Sequence, residues 1–246
     1  MKSNRIKLEI CAVSPHSARA AFQGGADRIE LCAALEMGGI TPSFSAIEMS
    51  VKQSEMPVFV LVRPRAGDFC YSQTELQQMI RDIEICRELG VQGIVSGALH
   101  PDGSIQLSHL KALLKASEGM SFTFHRAFDR CNDPFAAAMQ LADAGVQRIL
   151  SSGQRSDAYL GAPLLAALVE KMNGQITFLP GGGINTDNVV ELIRITGATE
   201  VHFSAKKTQK SPFSFNSALA DSNDYIESDE KLIQKMVELL HSLEGK

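Results

Sequence analysis

Four times in this chain a Gly-Ala or Gly-Val step leads straight into an apolar run: GGADRIEL (24–31), LGVQGIV (89–95), AGVQRIL (144–150) and TGATEVHF (196–203). Glycine in this position closes a helix, and the run behind it is the next strand. The pattern extends to eight strand candidates: 7–13, 28–33, 58–64, 93–97, 121–128, 148–152, 176–179 and 200–205. Helical patterns such as SQTELQQMIRDIEICRELG (72–90) and DPFAAAMQLADAG (133–145) lie between them. Eight βα units in roughly 205 residues have the count and spacing of a (β/α)8 TIM barrel. A doubly wound open sheet would carry GxGxxG after its first strand, and none is present there. The expectation is an α/β chain with one domain: a TIM barrel over 1–205, with a C-terminal loop and helix over 206–246 packed on it. The stretch 206–229, rich in Ser, Asn and Asp, reads as a long loop or cover. SDEKLIQKMVELLHSLEGK then gives an amphipathic closing helix with Ser228 as its N-cap.

Composition narrows the partners. With 24 basic against 28 acidic residues, a net charge of −4, the chain offers no positive field for nucleic acid or anionic lipid. No apolar run approaches the roughly 20 residues that span a bilayer. Five cysteines without a signal-peptide pattern predict reduced thiols and a cytoplasmic location.

Strand parity then selects the functional candidates. In LEICAV (8–13) and IELCAA (29–34), Glu9 and Cys11, and likewise Glu30 and Cys32, alternate with large aliphatics. Aliphatics suit the outer, helix-facing side of a barrel, so the acids and thiols are predicted to point inward. By the same parity Arg63 pairs with Arg65. Thr123, His125, Ala127 and Asp129 form another set, and His202 shares a face with Ser204. Two buried carboxylates need cations, and Arg63, Arg65 and the two histidines are the candidates. An internal ion-pair network that only fills the barrel is the plain alternative. Ionisable groups gathered in the later halves of strands point instead to a ligand site.

The segment LPGGGINTDNVVEL (179–192) ends a strand in Gly181, Gly182 and Gly183 and opens a helix after Asn185, Thr186 and Asp187. Glycines admit close backbone approach, and barrels often hold phosphate in the loops after strands seven and eight. A tight turn with an N-cap is the alternative. Cys11 and Cys32, on neighbouring strands, are the thiolate candidates for a soft metal, to which Cys70 and Cys131 could add. Cys86 belongs to a helix's apolar side. No GxSxG motif and no inward lysine is present, which argues against a hydrolase elbow and against Schiff-base chemistry. Glu, His and Arg together fit proton transfer or lyase chemistry on a small anionic molecule.

Taken in order, LEICAVS (8–14), GGADRIELCAA (24–34), GGITPS (38–43), RPRAGDFCYS (63–72), FHRAFD (124–129), SGQRSDA (152–158) and EVHFSA (200–205) resemble the CutC family. The resemblance implies a cytosolic TIM barrel forming a homodimer or higher homo-oligomer. It also implies a link to copper homeostasis, with Cu(I) held by cysteines, here Cys11 and Cys32. The chain departs from the pattern at Ala66, where the family often has Gly, and at Lys206–Lys207, which replace small residues and add cations beside the glycine loop. Two functions follow as expectations. One is a copper-binding barrel. The alternative is an enzyme using Glu9, Glu30, His125 or His202 for acid–base chemistry, with Arg63, Arg65, Asp129 and Gly181–Gly183 around the anion.

Overall fold

The computed structural model describes residues 5–214 and 223–243. Eight strands alternate with seven helices: β1 (Lys7–Ala12), α1 (Pro15–Gln23), β2 (Arg28–Leu31), α2 (Phe44–Gln53), β3 (Val58–Leu61), α3 (Gln73–Glu88), β4 (Gly93–Ser96), α4 (Leu107–Ala116), β5 (Ser121–Phe124), α5 (Pro134–Asp143), β6 (Arg148–Ser151), α6 (Ala162–Met172), β7 (Thr177–Pro180), α7 (Val189–Thr196) and β8 (Glu200–Phe203). A hairpin of β9 (Lys206–Gln209) and β10 (Tyr225–Ser228) and the closing helix α8 (Glu230–His241) follow. All eight barrel strands run parallel in sequence order. β1 pairs with both β2 and β8, and a bridge between Gly181 and His202 brings β7 against β8, nearly closing the ring.

The helices begin where the sequence supplies caps. Ser14 accepts from the Ser17 N–H ahead of Pro15, Ser72 and Glu75 form a reciprocal capping box, and Asp133 caps α5 before Pro134. Leu8, Ile10, Ile29, Leu31, Ile94, Phe122 and Phe124 are fully buried in the layer between barrel and helices. Each such side chain contributes about 1.5–3 kcal/mol of transfer free energy.

Two parts of the sequence reading change. Region 206–229 is not simply a loop, because its ends pair antiparallel, Tyr225 opposite Gln209 and Ser228 opposite Lys206. That ribbon carries no apolar alternation, so strand periodicity could not reveal it. It is tied to α1: Glu227 accepts from the hydroxyls of Ser14 and Ser17, and the Ser228 N–H donates to Ser17. The cap of α8 is Asp229, which accepts from the Leu232 N–H at 2.9 Å, while Ser228 ends β10. Residues 215–222 and 244–246 of the extension lie outside the described residues. The second change is at β5, which stops at Phe124 and turns into a short 3-10 helix over Arg126–Arg130. Strand parity ends there, so Ala127 and Asp129 do not share the face of His125.

Below the mouth, the barrel is filled by a layer of charge rather than by aliphatics. Arg28 donates Nε to Glu9 and Nη2 to Glu200 at 2.5 Å, and Arg148 donates Nε to Glu200 at 2.9 Å. Phe59 lies beneath both guanidinium groups, 5.2 Å from Arg28 and 5.4 Å from Arg148. Two cations and two anions balance, and Glu9, Arg28 and Glu200 are all buried. Removing one member leaves its partners charged and desolvated. Arg28→Met is therefore expected to lower the unfolding free energy by about 3–5 kcal/mol in urea titrations. A loss below about 1 kcal/mol would mean that water, not Arg28, satisfies these carboxylates.

Candidate active site in the barrel mouth

Above the charge layer, the ends of the strands enclose a cavity of about 300 Å³. Cys11 of β1, Glu30 of β2 and His202 of β8 line it, together with Cys32, His125, Arg126, Gly182, Gly183, Ser204 and Lys206 from the strand ends and the loops beyond them. Register explains how the acids, thiols and histidine meet. Cys11 stands opposite Glu30 across β1–β2, and Glu9 stands opposite His202 across β1–β8.

His202 is held from below, its Nδ1 lying 2.7 Å from Glu9 Oε1 and 3.9 Å from Glu30 Oε2. The two carboxylates differ sharply. Burial alone would raise Glu9, but Arg28 and His202 outweigh it and hold this acid at about 2. Glu30 is pushed up to about 7, mostly by burial, with His202 opposing and the Glu9 charge adding to the rise. Burial works against the charged form of His202, yet its bond to Glu9 and the charges of Glu30 and Glu9 raise it. Glu30 Oε2 is buried with no hydrogen-bond partner among the described residues. Two acids facing the same histidine, one ionised and one able to hold a proton near neutrality, form an acid–base arrangement.

The thiols also converge. Cys11 Sγ and Cys32 Sγ are 3.7 Å apart, and ligand atoms of Cys11, Glu30 and His202 all lie within 4.8 Å of one another. With Glu9 engaging Nδ1, the remaining ligand nitrogen of His202 is Nε2, an orientation that metal sites use to aim a histidine. This donor set, thiol with imidazole and carboxylate, fits a soft or borderline metal ion. The Cys11 thiol is pushed well up by its hydrogen bond with the Cys32 thiol, by burial and by the nearby carboxylates, so a metal would have to displace its proton.

Other predicted residues stand elsewhere. Arg63 is buried, but its guanidinium donates to the carbonyls of Met37, Gly39 and Gly67, tying together the loops after β2 and β3. Arg65 pairs with Glu75 and Asp68 in the loop before α3. Neither lines the cavity, nor do Gly181, Cys70 or Cys131. Asp129 accepts from Ser151 Oγ at 2.6 Å, from the Ser152 N–H and from Arg126 Nε at 2.7 Å. It thereby orients Arg126, a cation that does reach the cavity. Sequence parity missed Arg126 because it lies beyond the end of β5. It also missed Arg28, although Arg28, Glu30 and Cys32 share parity. Gly182 (φ +101°) and Gly183 (φ +69°) take backbone conformations that favour glycine. A Cβ on Gly183 would lie 2.6 Å from Asp157 Cβ, and one on Gly182 would lie 3.2 Å from an Arg126 nitrogen.

The CutC family model matches residues 6–207, which is the whole barrel. The chain belongs to the CutC family. A CutC family protein from Glaesserella parasuis is 47% identical over 206 residues, covering 84% of this chain and 85% of that protein. Another from Pasteurella multocida is 42% identical over 229 residues, covering 92% and 93%. A crystal structure from Streptococcus agalactiae, described as a candidate copper homeostasis protein CutC, superposes with a TM-score of 0.77. It is 31% identical and covers 81% of this chain and 98% of that one.

The position of Glu30 in this CutC barrel has a thermodynamic consequence. The fold favours its neutral form, so the folded state keeps a proton that the unfolded chain has already lost. Stability is full below about pH 4.5 on this account and declines as pH rises toward 7. Glu30→Gln should remove that decline and exceed the wild type at pH 8 by on the order of 3 kcal/mol, read from urea midpoints at pH 5 and pH 8. Glu9 acts oppositely, its contribution being lost as pH falls from about 4.5 to about 2. Equal pH slopes for the two proteins between pH 5 and 8 would contradict the position assigned to Glu30.

Proposed function

We propose that the mouth of this CutC-family barrel is an acid–base active site for a small anionic molecule. The observation that carries the reading is a single atom: Glu30 Oε2, buried and without a hydrogen-bond partner among the described residues, on a side chain that lines the cavity. A buried carboxylate oxygen without a donor is costly unless a ligand supplies one. Glu30 moves the proton, His202 steadies the charge on Glu30, and Glu9 fixes His202. A carboxyl group poised near pH 7 gains and loses protons readily under physiological conditions. Arg126 and Lys206 on the rim supply the positive charge for the anionic end, and Gly182–Gly183 admit it to the backbone.

A second reading follows the family's association with copper homeostasis. It is favoured by the Cys11–Glu30–His202 cluster and the Cys11–Cys32 contact. Here Cu(I) is cargo, held by Cys11 and Cys32 in a cytosolic, homo-oligomeric carrier, and binding it releases the thiol protons.

Thermal denaturation with inorganic phosphate, pyruvate and 2-phosphoglycolate tests the first reading. At least one anion should raise the wild-type Tm, and Arg126→Ala with Lys206→Ala should cancel the rise. No shift with any of the three would sink it. Anaerobic Cu(I) titration of the wild type against Cys11→Ser/Cys32→Ser tests the second. Stoichiometric binding should vanish in the double variant, and its survival would remove these thiols from the metal site.

A further inference from the structure

Glu30 Oε2 has a counterpart on another residue that lines the cavity. His125, at the end of β5, is only 4% exposed, and its Nε2 is buried without a partner among the described residues. The backbone fixes which nitrogen carries the proton. The Ala127 N–H donates to Nδ1 at 3.2 Å as the chain enters its 3-10 turn, so Nδ1 is an acceptor and the proton of the neutral ring sits on Nε2. The ring cannot easily gain a second proton. Phe69 packs on it with centroids 4.8 Å apart, and the Arg63 guanidinium lies over that same Phe69 ring at 5.0 Å. Gly97 leaves room for the imidazole, since a Cβ there would lie 2.9 Å from Nδ1. Burial and the Arg63 charge hold His125 down at about 3.

Of the buried unpartnered side-chain atoms among the described residues, two belong to residues lining this cavity: Glu30 Oε2, an acceptor, and His125 Nε2, a donor. They come from strands three apart in the ring, on different sides of the mouth. An occupant that satisfies both must present an acceptor oxygen to His125 and a hydroxyl or acidic C–H to Glu30. The rim cations Arg126 and Lys206 require the rest of it to be anionic.

We infer that His125 is a neutral hydrogen-bond donor to a carbonyl or carboxylate oxygen of the substrate, which assigns the substrate class as a small phosphorylated or carboxylated hydroxy-carbonyl compound. This deepens the acid–base reading and rests on it. A neutral donor suits that task, because it stabilises negative charge growing on the oxygen without surrendering a proton to it. A cationic imidazole beside Arg63 would carry a charge the site does not balance.

The test uses the full chain with two probes: inorganic phosphate, and 2-phosphoglycolate, which adds a carboxylate where the carbonyl oxygen would sit. In the wild type, histidine nitrogen NMR should show His125 as the Nε2–H tautomer from pH 5 to 9, and its proton should move downfield with 2-phosphoglycolate. Calorimetry should give at least tenfold preference for 2-phosphoglycolate over phosphate. His125→Phe should reduce that ratio to near one while keeping phosphate affinity. His125→Gln, which retains a neutral donor, should keep part of the preference and stands in if the Phe variant does not fold. If phosphate binds but the preference is absent, the preference survives in His125→Phe, or His125 proves to be the Nδ1–H tautomer or charged, this inference is overturned and the anion reading stands. If neither probe binds the wild type, this inference falls, and the anion reading falls with it when pyruvate also fails to raise the Tm.

Discussion

The four-residue charge layer formed by Glu9, Arg28, Glu200 and Arg148 is the constraint on which the rest of the barrel depends. A packed aliphatic layer would fill the same space with less desolvation, so charge here is not the cheapest way to build a core. The layer does something an aliphatic one would not. It spends both arginines on Glu9 and Glu200, and it uses the second oxygen of Glu9 to hold His202. The next acid up, Glu30, then stands above a balanced network, and the basic group facing it is His202, 3.9 Å away. Its neighbours are a histidine already engaged below and two thiols.

Much of this was legible in the sequence, and the reason is the two-residue period of a strand. Alternation alone turned Glu9, Cys11, Glu30 and Cys32 inward, and the spacing of the βα units is that of the observed barrel. Alternation failed where strands stopped. β3 ends at Leu61, so Arg63 and Arg65 are loop residues whose direction parity does not govern. β5 ends at Phe124, so Arg126 rather than Asp129 reaches the mouth. Nothing in FHRAFD announces that the chain tightens into a 3-10 turn at His125. Arg28 had a readable signal, two positions before Glu30 on the same face, yet a cation at a strand's first residue resembles an ordinary solvent-facing end. The β9–β10 ribbon was illegible because β9 is polar and β10 shows no apolar alternation, and it is held by Ser14, Ser17 and Glu227, residues far apart in sequence.

The thiols and the acids compete for the same explanation. Cys11 and Cys32 touch, and with Glu30 and His202 nearby the donor set suits a metal ion. The surroundings of Cys11 nonetheless favour its protonated form, because two carboxylates and a second sulfur all oppose a thiolate. Metal capture at this point would have to work against the field that the acids create, and it would leave His125 Nε2 unsatisfied. In the proposed reading a hydrogen-bonding ligand instead meets both atoms and leaves Cys11 as a protonated part of the wall.

Polarity along the barrel axis then orients the occupant. Positive charge is exhausted at the level of Arg28 and Arg148, and at the mouth it is offered by Arg126, which Asp129 and Ser152 hold in place, and by Lys206. Between these levels the wall offers His202, one neutral donor, one proton-holding acid and two thiols. An anionic group placed deep would meet the carboxyl of Glu30, whereas at the rim it would meet cations and the Gly182–Gly183 backbone. On the proposed reading, the reactive end therefore points down toward Glu30 and His125. Excluding water from that end strengthens each of its few polar contacts. The same burial that leaves Glu30 Oε2 and His125 Nε2 without a hydrogen-bond partner among the described residues is what would give a ligand its leverage there.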